Sequence, residues 1–154
     1  LASIRSSFTA YAARFGLFFC PALDDPELEK SYFEACKTYN CKFAFIISPR
    51  APATTFISKD PEACWKKIGR YLLYDATAYA SWRHSSRRAY AESFASTVEE
   101  LKREEKYRVL TPEQALKTII ETGSLHLAPL TGGVSLEIGW QSLELFEDQV
   151  QPFL

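Results

Sequence analysis

The chain alternates between strand-like and helix-like segments over most of its length. Two apolar runs rich in aromatic and β-branched residues surround a proline-rich turn, and Asp-Pro pairs at Asp25 and Asp60 each begin a stretch with apolar residues at helical spacing. An aspartate before a proline is typical of a helix start, because its carboxylate caps the first turn and proline fits the first helical position. Such alternation favours helices packed on a largely parallel sheet. The sequence therefore predicts an α/β fold.

The pattern also predicts where the elements lie. We expect strands in one sheet near 17–20, 43–47 and 125–129, with a further short strand in "TTFIS" at 54–58. Helices are expected near 26–39, 61–80, 112–122 and 136–150. A charged helix or turn is expected in "TVEELKREEKYR".

One helix carries both start and stop signals. Thr111 is placed as its N-cap, Pro112 as its first residue, Gln114 in the capping-box position and Gly123 as its end. A helix near the N-terminus is expected to begin at Ser6 and Ser7, which are plausible N-caps.

Composition bounds the class of protein. The chain has 154 residues, of which 47% are hydrophobic and 24% charged, which is typical of a soluble globular protein. We therefore predict a single domain over 1–154. The net charge of −1 gives no general attraction to nucleic acid, and every apolar run is too short to span a membrane. Because the chain begins at Leu1 and has no methionine, we expect a fragment of a longer protein or one from which a leader was removed.

The cysteines indicate a reducing compartment. Cys20, Cys36, Cys41 and Cys64 match neither a Cys-x-x-Cys zinc knuckle nor a redox pair. We expect reduced thiols, no bound metal and a cytoplasmic location. The alternative is a zinc site formed by Cys36, Cys41 and one histidine.

Two adjacent glycines follow the predicted strand "LHLAPL". Glycine adopts positive φ without strain and lets other groups approach the backbone, so Gly132 and Gly133 are candidates for a binding edge. A tight turn between a strand and a helix requires the same residue type. The residues leave both interpretations open.

Five segments, taken in order, resemble one family. They are "AARFGLFF", "DPELEKSYFEAC", "FISKDPEACWKKIGRYLLYDATAYASW", "YRVLTPEQAL" and "LHLAPLTGGVSLEIGWQSLELFEDQVQPFL". Together they are similar to the C-terminal part of the bacterial-luciferase-like flavin-dependent monooxygenases and oxidoreductases. The resemblance implies part of a (β/α)₈ TIM barrel, and 154 residues are too few for a whole one.

The resemblance also implies an activity and a cofactor. It implies that the parent enzyme uses reduced FMN, or a deazaflavin, with O₂ to oxidise a small organic substrate. This piece alone is expected to be inactive, with the alternative that it binds no cofactor. Gly132 and Gly133 are then expected at the cofactor, and Ser6 and Ser7 are candidates for its phosphate. The chain has Gly16-Leu17-Phe18 where many relatives carry Gly-Asp-Gly, which weakens the expectation of a phosphate site.

Further candidates lie in and beside the segment "WRHSSRR". His84 is a weak candidate for a catalytic proton donor, and Trp82 for lining an apolar substrate pocket. Arg83, Arg87 and Arg88 are candidates for holding a phosphate, with a solvated loop as the alternative. His126 could point into a barrel interior or be a hydrogen-bonded core residue, and we expect the latter.

The alternative function is non-catalytic. A half-barrel would expose strand edges and an apolar sheet face, and such surfaces are usually covered by a partner. This hypothesis predicts a homo-oligomer, or a complex with a complementary N-terminal half. Neither hypothesis includes nucleic acid or a membrane as a partner.

Overall fold

The computed structural model describes residues 2–21, 25–47, 54–81, 91 and 93–154. The chain divides into two compact units, Leu1–Arg50 and Ala51–Leu154, which we call the first and second units. The prediction of a single domain over 1–154 stays a prediction, and the units are described separately.

The first unit is a pair of packed helices. Helix α1 spans Ala2–Arg14 and helix α2 spans Pro26–Thr38. The side chain of Asp25 accepts a hydrogen bond from the backbone N–H of Leu28, which confirms the predicted start of α2. The buried core of this unit consists of Ala13, Tyr32 and Cys36.

The second unit contains strands β1 (Thr54–Ile57) and β2 (Tyr107–Leu110), which pair in parallel. Its helices are α3 (Pro61–Ser81), α4 (Val98–Arg103), α5 (Pro112–Thr122) and α6 (Leu136–Gln149). Short 3₁₀ turns lie at Thr131–Gly133 and Gln151–Phe153.

Strand β1 lies at the centre of the second unit. Successive side chains of a strand point to opposite faces, so Phe56 and Ile57 enter different clusters. Phe56 packs with residues of α3 such as Ile68 and Leu72, whereas Ile57 packs with Ala115 of α5 and with Val150. All four residues of β1 are consequently buried.

Four of the predicted helices are confirmed. Helix α5 has the predicted capping box between Thr111 and Gln114, and it ends at Gly123, whose φ is 77°. The expected helices near 26–39, 61–80 and 136–150 are present with small shifts at their ends. Ser135 caps α6 by accepting a hydrogen bond from the N–H of Ile138.

The predicted fold class is wrong. The described part of the chain is mainly helical with one two-stranded parallel sheet, and it is not part of a (β/α)₈ barrel with a largely parallel sheet. The three segments expected as strands form only isolated parallel bridges, Phe19 with Ile46 and Leu127 with Thr55.

The physical reason lies in the competing partners of these segments. Phe43 and Phe45 are 73% and 50% exposed, so the segment 43–47 has little apolar packing to hold it in a sheet. Beside residues 125–129, the backbone N–H of Ile57 donates to the hydroxyl of Ser142 at 2.7 Å and not to a neighbouring strand. Strand pairing therefore stops after a single bridge.

One further local prediction is wrong. Helix α1 begins at Ala2, so Ser6 and Ser7 lie inside the helix and are not its N-caps. The charged helix predicted in "TVEELKREEKYR" is confirmed as α4, capped by Thr97, and the end of the segment enters strand β2, where Tyr107 is buried.

Candidate functional site

The candidate site is the surface where the turn Thr131–Gly133 lies on α3, whose Asp75 in turn bonds to Tyr107 at the start of β2. The residues that precede the turn are hydrogen-bonded to strand β1. Thr54 Oγ1 lies 3.0 Å from the backbone nitrogen of Ala128, which donates to it, and Thr131 Oγ1 donates to the carbonyl oxygen of Ala128 at 2.8 Å. These bonds fix the path of the chain into the two glycines.

Gly132 is a glycine because of packing. Its φ is 65°, and a Cβ placed there would collide with the backbone carbonyl of Tyr71 in α3. The same Cβ would lie 3.2 Å from the Cβ of Asp75. The turn therefore lies directly on the backbone of α3, and no room remains beside the α-carbon of Gly132 for a ligand.

Gly133 differs from its neighbour. Its φ is 86°, which favours glycine, but a Cβ at this position would meet no atom within 4 Å. Backbone conformation thus accounts for the residue type, and the space beside it is open. Of the two predicted cofactor-binding glycines, only Gly133 leaves space for a bound group.

A buried hydrogen bond joins β2 to α3 behind this turn. The side chain of Tyr107 is almost fully buried, and its hydroxyl donates to Asp75 Oδ2 at 2.9 Å and lies 3.2 Å from the carbonyl oxygen of Ala91. Burial, reinforced by the hydrogen bond and negative charge of Asp75, raises the pKa of Tyr107. The phenol therefore stays protonated and acts as a hydrogen-bond donor.

The predicted phosphate contacts lie in the first unit. Ser7 is exposed, and both serines lie within α1, where backbone N–H groups bond to carbonyls of the preceding turn. A helix N-terminus offers an anion only the N–H groups of its first turn. The role of Ser6 and Ser7 in cofactor binding stays a prediction. The position at a helix start, on which that prediction was based, is not observed.

Several other candidates lie outside the described residues. These are Trp82, His84, Arg83, Arg87 and Arg88. Their proposed roles in catalysis and binding stay predictions.

His126 is described, and the expectation that it is a core residue is wrong. Its side chain is exposed, while its carbonyl oxygen accepts a hydrogen bond from the backbone N–H of Thr55. The backbone of this residue, and not its imidazole, connects the segment to β1.

The four cysteines are free thiols. Cys36 is buried, and burial raises its pKa. Cys41 donates a hydrogen bond from its sulfur to the carbonyl oxygen of Phe43 at 3.1 Å. Within the described ranges, no three side chains of the metal-binding types come together, so Cys36 and Cys41 have no histidine beside them there.

Sequence reasoning missed Tyr107 and Asp75. Tyr107 follows the charged run "KREEK", which conceals the short alternation of buried and half-buried residues in "YRVL". Asp75 is one polar residue on a long amphipathic helix. A tyrosine at the start of an alternating segment was the available signal for the strand, but nothing local indicated its partner.

Comparisons with protein-family models, with curated proteins and with solved structures find no match. The resemblance to luciferase-like enzymes therefore stays a prediction. Within the part of the chain that the structure describes, no helix is both long and apolar enough to cross a membrane.

Proposed function

We propose that this chain is the C-terminal part of a cytoplasmic luciferase-like flavin-dependent oxidoreductase that oxidises a small organic substrate with reduced flavin and O₂. One observation carries the proposal. The segments in which the resemblance is most specific, the helix α3 that begins with "DPEACW" and the closing segment that contains the Thr131–Gly133 turn, belong to one unit and pack against each other, with Gly132 against the backbone of Tyr71.

The flavin would supply the redox chemistry, so the protein would bind it, orient it and exclude water. The open backbone at Gly133 is suited to contact with a flat ring or with the substrate. Gly132 holds the turn against α3, and the buried Tyr107 hydroxyl holds Asp75 behind it. The role of these three residues is to keep the position of Gly133 fixed.

The proposal is tested by flavin binding to this chain. We expect saturable quenching of FMN or deazaflavin fluorescence on titration with the protein. Gly133→Val should weaken this binding, since it places a branched side chain in the open space. Turnover is not the readout, because a piece of an enzyme need not be active.

Gly123→Val is the matched control. Gly123 also has positive φ and also leaves nothing within 4 Å of an added Cβ, but it lies at the end of α5. Both variants therefore carry similar backbone strain, and only one alters the proposed site. Absence of saturable binding to the unmodified chain, or equal weakening by both variants, would contradict the proposal.

A second function, self-association without catalysis, is favoured by exposed aromatic residues on α1 and directly after its end. Phe8, Tyr11 and Phe15 recur at helical spacing and are 64%, 60% and 65% exposed. An aromatic stripe of this kind is usually covered. Light scattering after size exclusion should then give a dimer that Phe8→Ser converts to a monomer, with or without FMN. A monomeric unmodified chain at all concentrations would exclude this function.

A further inference from the structure

An apolar groove lies between α5 and the C-terminal end of the second unit. Its volume is about 670 Å³. Leu116 and Ile120 lie one helical turn apart on α5, and Phe153 of the last 3₁₀ turn lines the same groove. Ile120 and Phe153 are 72% and 68% exposed, so the groove has an apolar floor in contact with solvent.

The rim of the groove is acidic. Glu113 and Glu121 of α5 and Asp148 of α6 line it, with Lys117 as the one cation among the lining residues that the structure describes. The ammonium of Lys117 lies 3.8 Å from a carboxylate oxygen of Glu121. Negative charge therefore remains in excess at Glu113 and Asp148.

Hydrogen bonds at the start of α5 favour the ionised form of one carboxylate on the rim, that of Glu113. Backbone and Thr111 side-chain hydrogen bonds at the start of α5 hold the pKa of Glu113 below its usual value. This carboxylate is therefore ionised wherever the protein is folded near neutral pH. A cationic partner meets a fixed negative charge at one end of the groove.

The groove is widely exposed to solvent, and this favours some classes of ligand over others. Pockets for small molecules enclose most of the ligand surface, whereas side chains as exposed as Ile120 and Phe153 would leave a small molecule largely in water. A helix laid along two neighbouring helices instead covers such a floor with side chains spaced one turn apart. The flanking carboxylates match lysine or arginine beside that apolar stripe.

We propose that this groove, between α5 and the C-terminal end of the second unit, binds a basic amphipathic helix of a partner protein. Its apolar stripe covers Leu116, Ile120 and Phe153, and its cationic side chains pair with Glu113 and Asp148. This surface is separate from the turn at Gly133 and does not depend on flavin binding.

The test uses a labelled synthetic peptide of about 15 residues, long enough for four helical turns, with leucine at helical spacing flanked by lysine. Its twin carries glutamate in place of lysine. Fluorescence anisotropy should show saturable binding of the cationic peptide that weakens as salt rises, and no binding of the anionic twin. Equal binding of both peptides would overturn the proposal.

Two pairs of variants locate the binding. Ile120→Ser should raise the Kd by about fivefold or more, whereas Trp140→Ser, at a comparably exposed apolar residue outside the groove, should not. Asp148→Lys should weaken binding, whereas Glu34→Lys makes the same charge change on α2 and should have little effect.

Circular dichroism confirms that each variant folds, which is expected because all four side chains are solvent-exposed. If Ile120→Ser leaves the Kd unchanged, the groove is not the binding surface. If light scattering instead shows that Ile120→Ser dissociates a dimer of this chain, the occupant is a second copy and the proposed partner is wrong.

Discussion

The two units differ in how many aromatic residues they bury in a common core. In the second unit, Phe56, Trp65 and Tyr107 belong to one continuous buried cluster. In the first unit, Tyr32 is the buried aromatic residue of the core, while Phe8, Phe15 and Phe18 are at least 60% exposed. The contrast is not one of composition, since both units are rich in aromatic side chains.

The difference shows what a central strand contributes. Strand β1 gives the second unit two faces, one against α3 and one against α5 and α6, so that apolar side chains are covered from both sides. The first unit has two helices and a single bridge between Phe19 and Ile46. A pair of short helices encloses little volume, and a chain of this size buries too little surface for much stability of its own.

The strongest test of this difference is to produce the two units as separate proteins. We expect residues 51–154 to unfold cooperatively on heating and residues 1–50 to show no cooperative transition, because only the former has an extensive buried cluster. Circular dichroism melts of the two pieces provide the measurement. A cooperative transition in residues 1–50 alone would show that the exposed aromatic residues do not limit its stability.

A matched pair of substitutions compares the units residue by residue. Phe56→Ala removes a fully buried ring and should cost about 3–5 kcal/mol in the free energy of unfolding. Phe15→Ala removes a ring that is 65% exposed and should cost about 0.5 kcal/mol or less. Urea unfolding of both variants, followed by circular dichroism, gives these values. Similar losses for the two would mean that Phe15 is covered in solution.

The two glycines of the turn should respond unequally to alanine. At Gly132 the added methyl group collides with the carbonyl of Tyr71 and φ is positive, so we expect a loss of about 3 kcal/mol. At Gly133 only the positive φ opposes alanine, at about 1–2 kcal/mol. Tryptophan fluorescence is a suitable probe, since all three tryptophans lie in 51–154. Equal losses would show that the turn does not press on α3.

A smaller effect than at Gly132 is expected from Tyr107→Phe, which leaves Asp75 without the phenol hydroxyl. The loss at neutral pH should be about 1–2 kcal/mol. Substitution of Asp75 by asparagine should cost less, because an amide oxygen still accepts the hydrogen bond. Urea unfolding at pH 7 distinguishes the two variants, and an unchanged stability of Tyr107→Phe would contradict the importance of this bond.

The same tyrosine should make stability depend on alkaline pH. Its pKa is raised in the folded state, so the unfolded chain loses the proton first, near the ordinary tyrosine value of about 10. The contribution of protonated Tyr107 to the free energy of unfolding is therefore complete below that pH and is lost as the pH rises above it. The fluorescence-detected stability of the unmodified chain should therefore fall more steeply above pH 10 than that of Tyr107→Phe. Parallel curves for the two proteins would contradict this.

Local signals in the sequence predicted the helices but not the sheet. The cap at Thr111, the proline after it and the glycine at 123 define α5 without any knowledge of its neighbours. Whether "LHLAPL" extends the sheet depends on which groups bond to the edge of β1. At that edge the hydroxyl of Ser142 accepts the hydrogen bond from the N–H of Ile57. That partner lies 85 residues away along the chain, which no local pattern reports.

The candidate site shows the same division. Two adjacent glycines are enough to predict a turn at Gly132 and Gly133. They do not indicate why each position requires glycine. The carbonyl of Tyr71 explains the first, and open space with positive φ accompanies the second. Tyr107 and Asp75 are 32 residues apart and meet only because β2 lies against α3.

The hydroxyl of Ser142 also has a consequence for how this molecule behaves in concentrated solution. An exposed strand edge with vacant N–H groups is a template on which further chains can add as strands. At Ile57 that position is already filled by a side chain from α6, in a bond that is fully buried. Helix α6 thus blocks this position on the edge of β1, so that no further strand can pair with the N–H of Ile57.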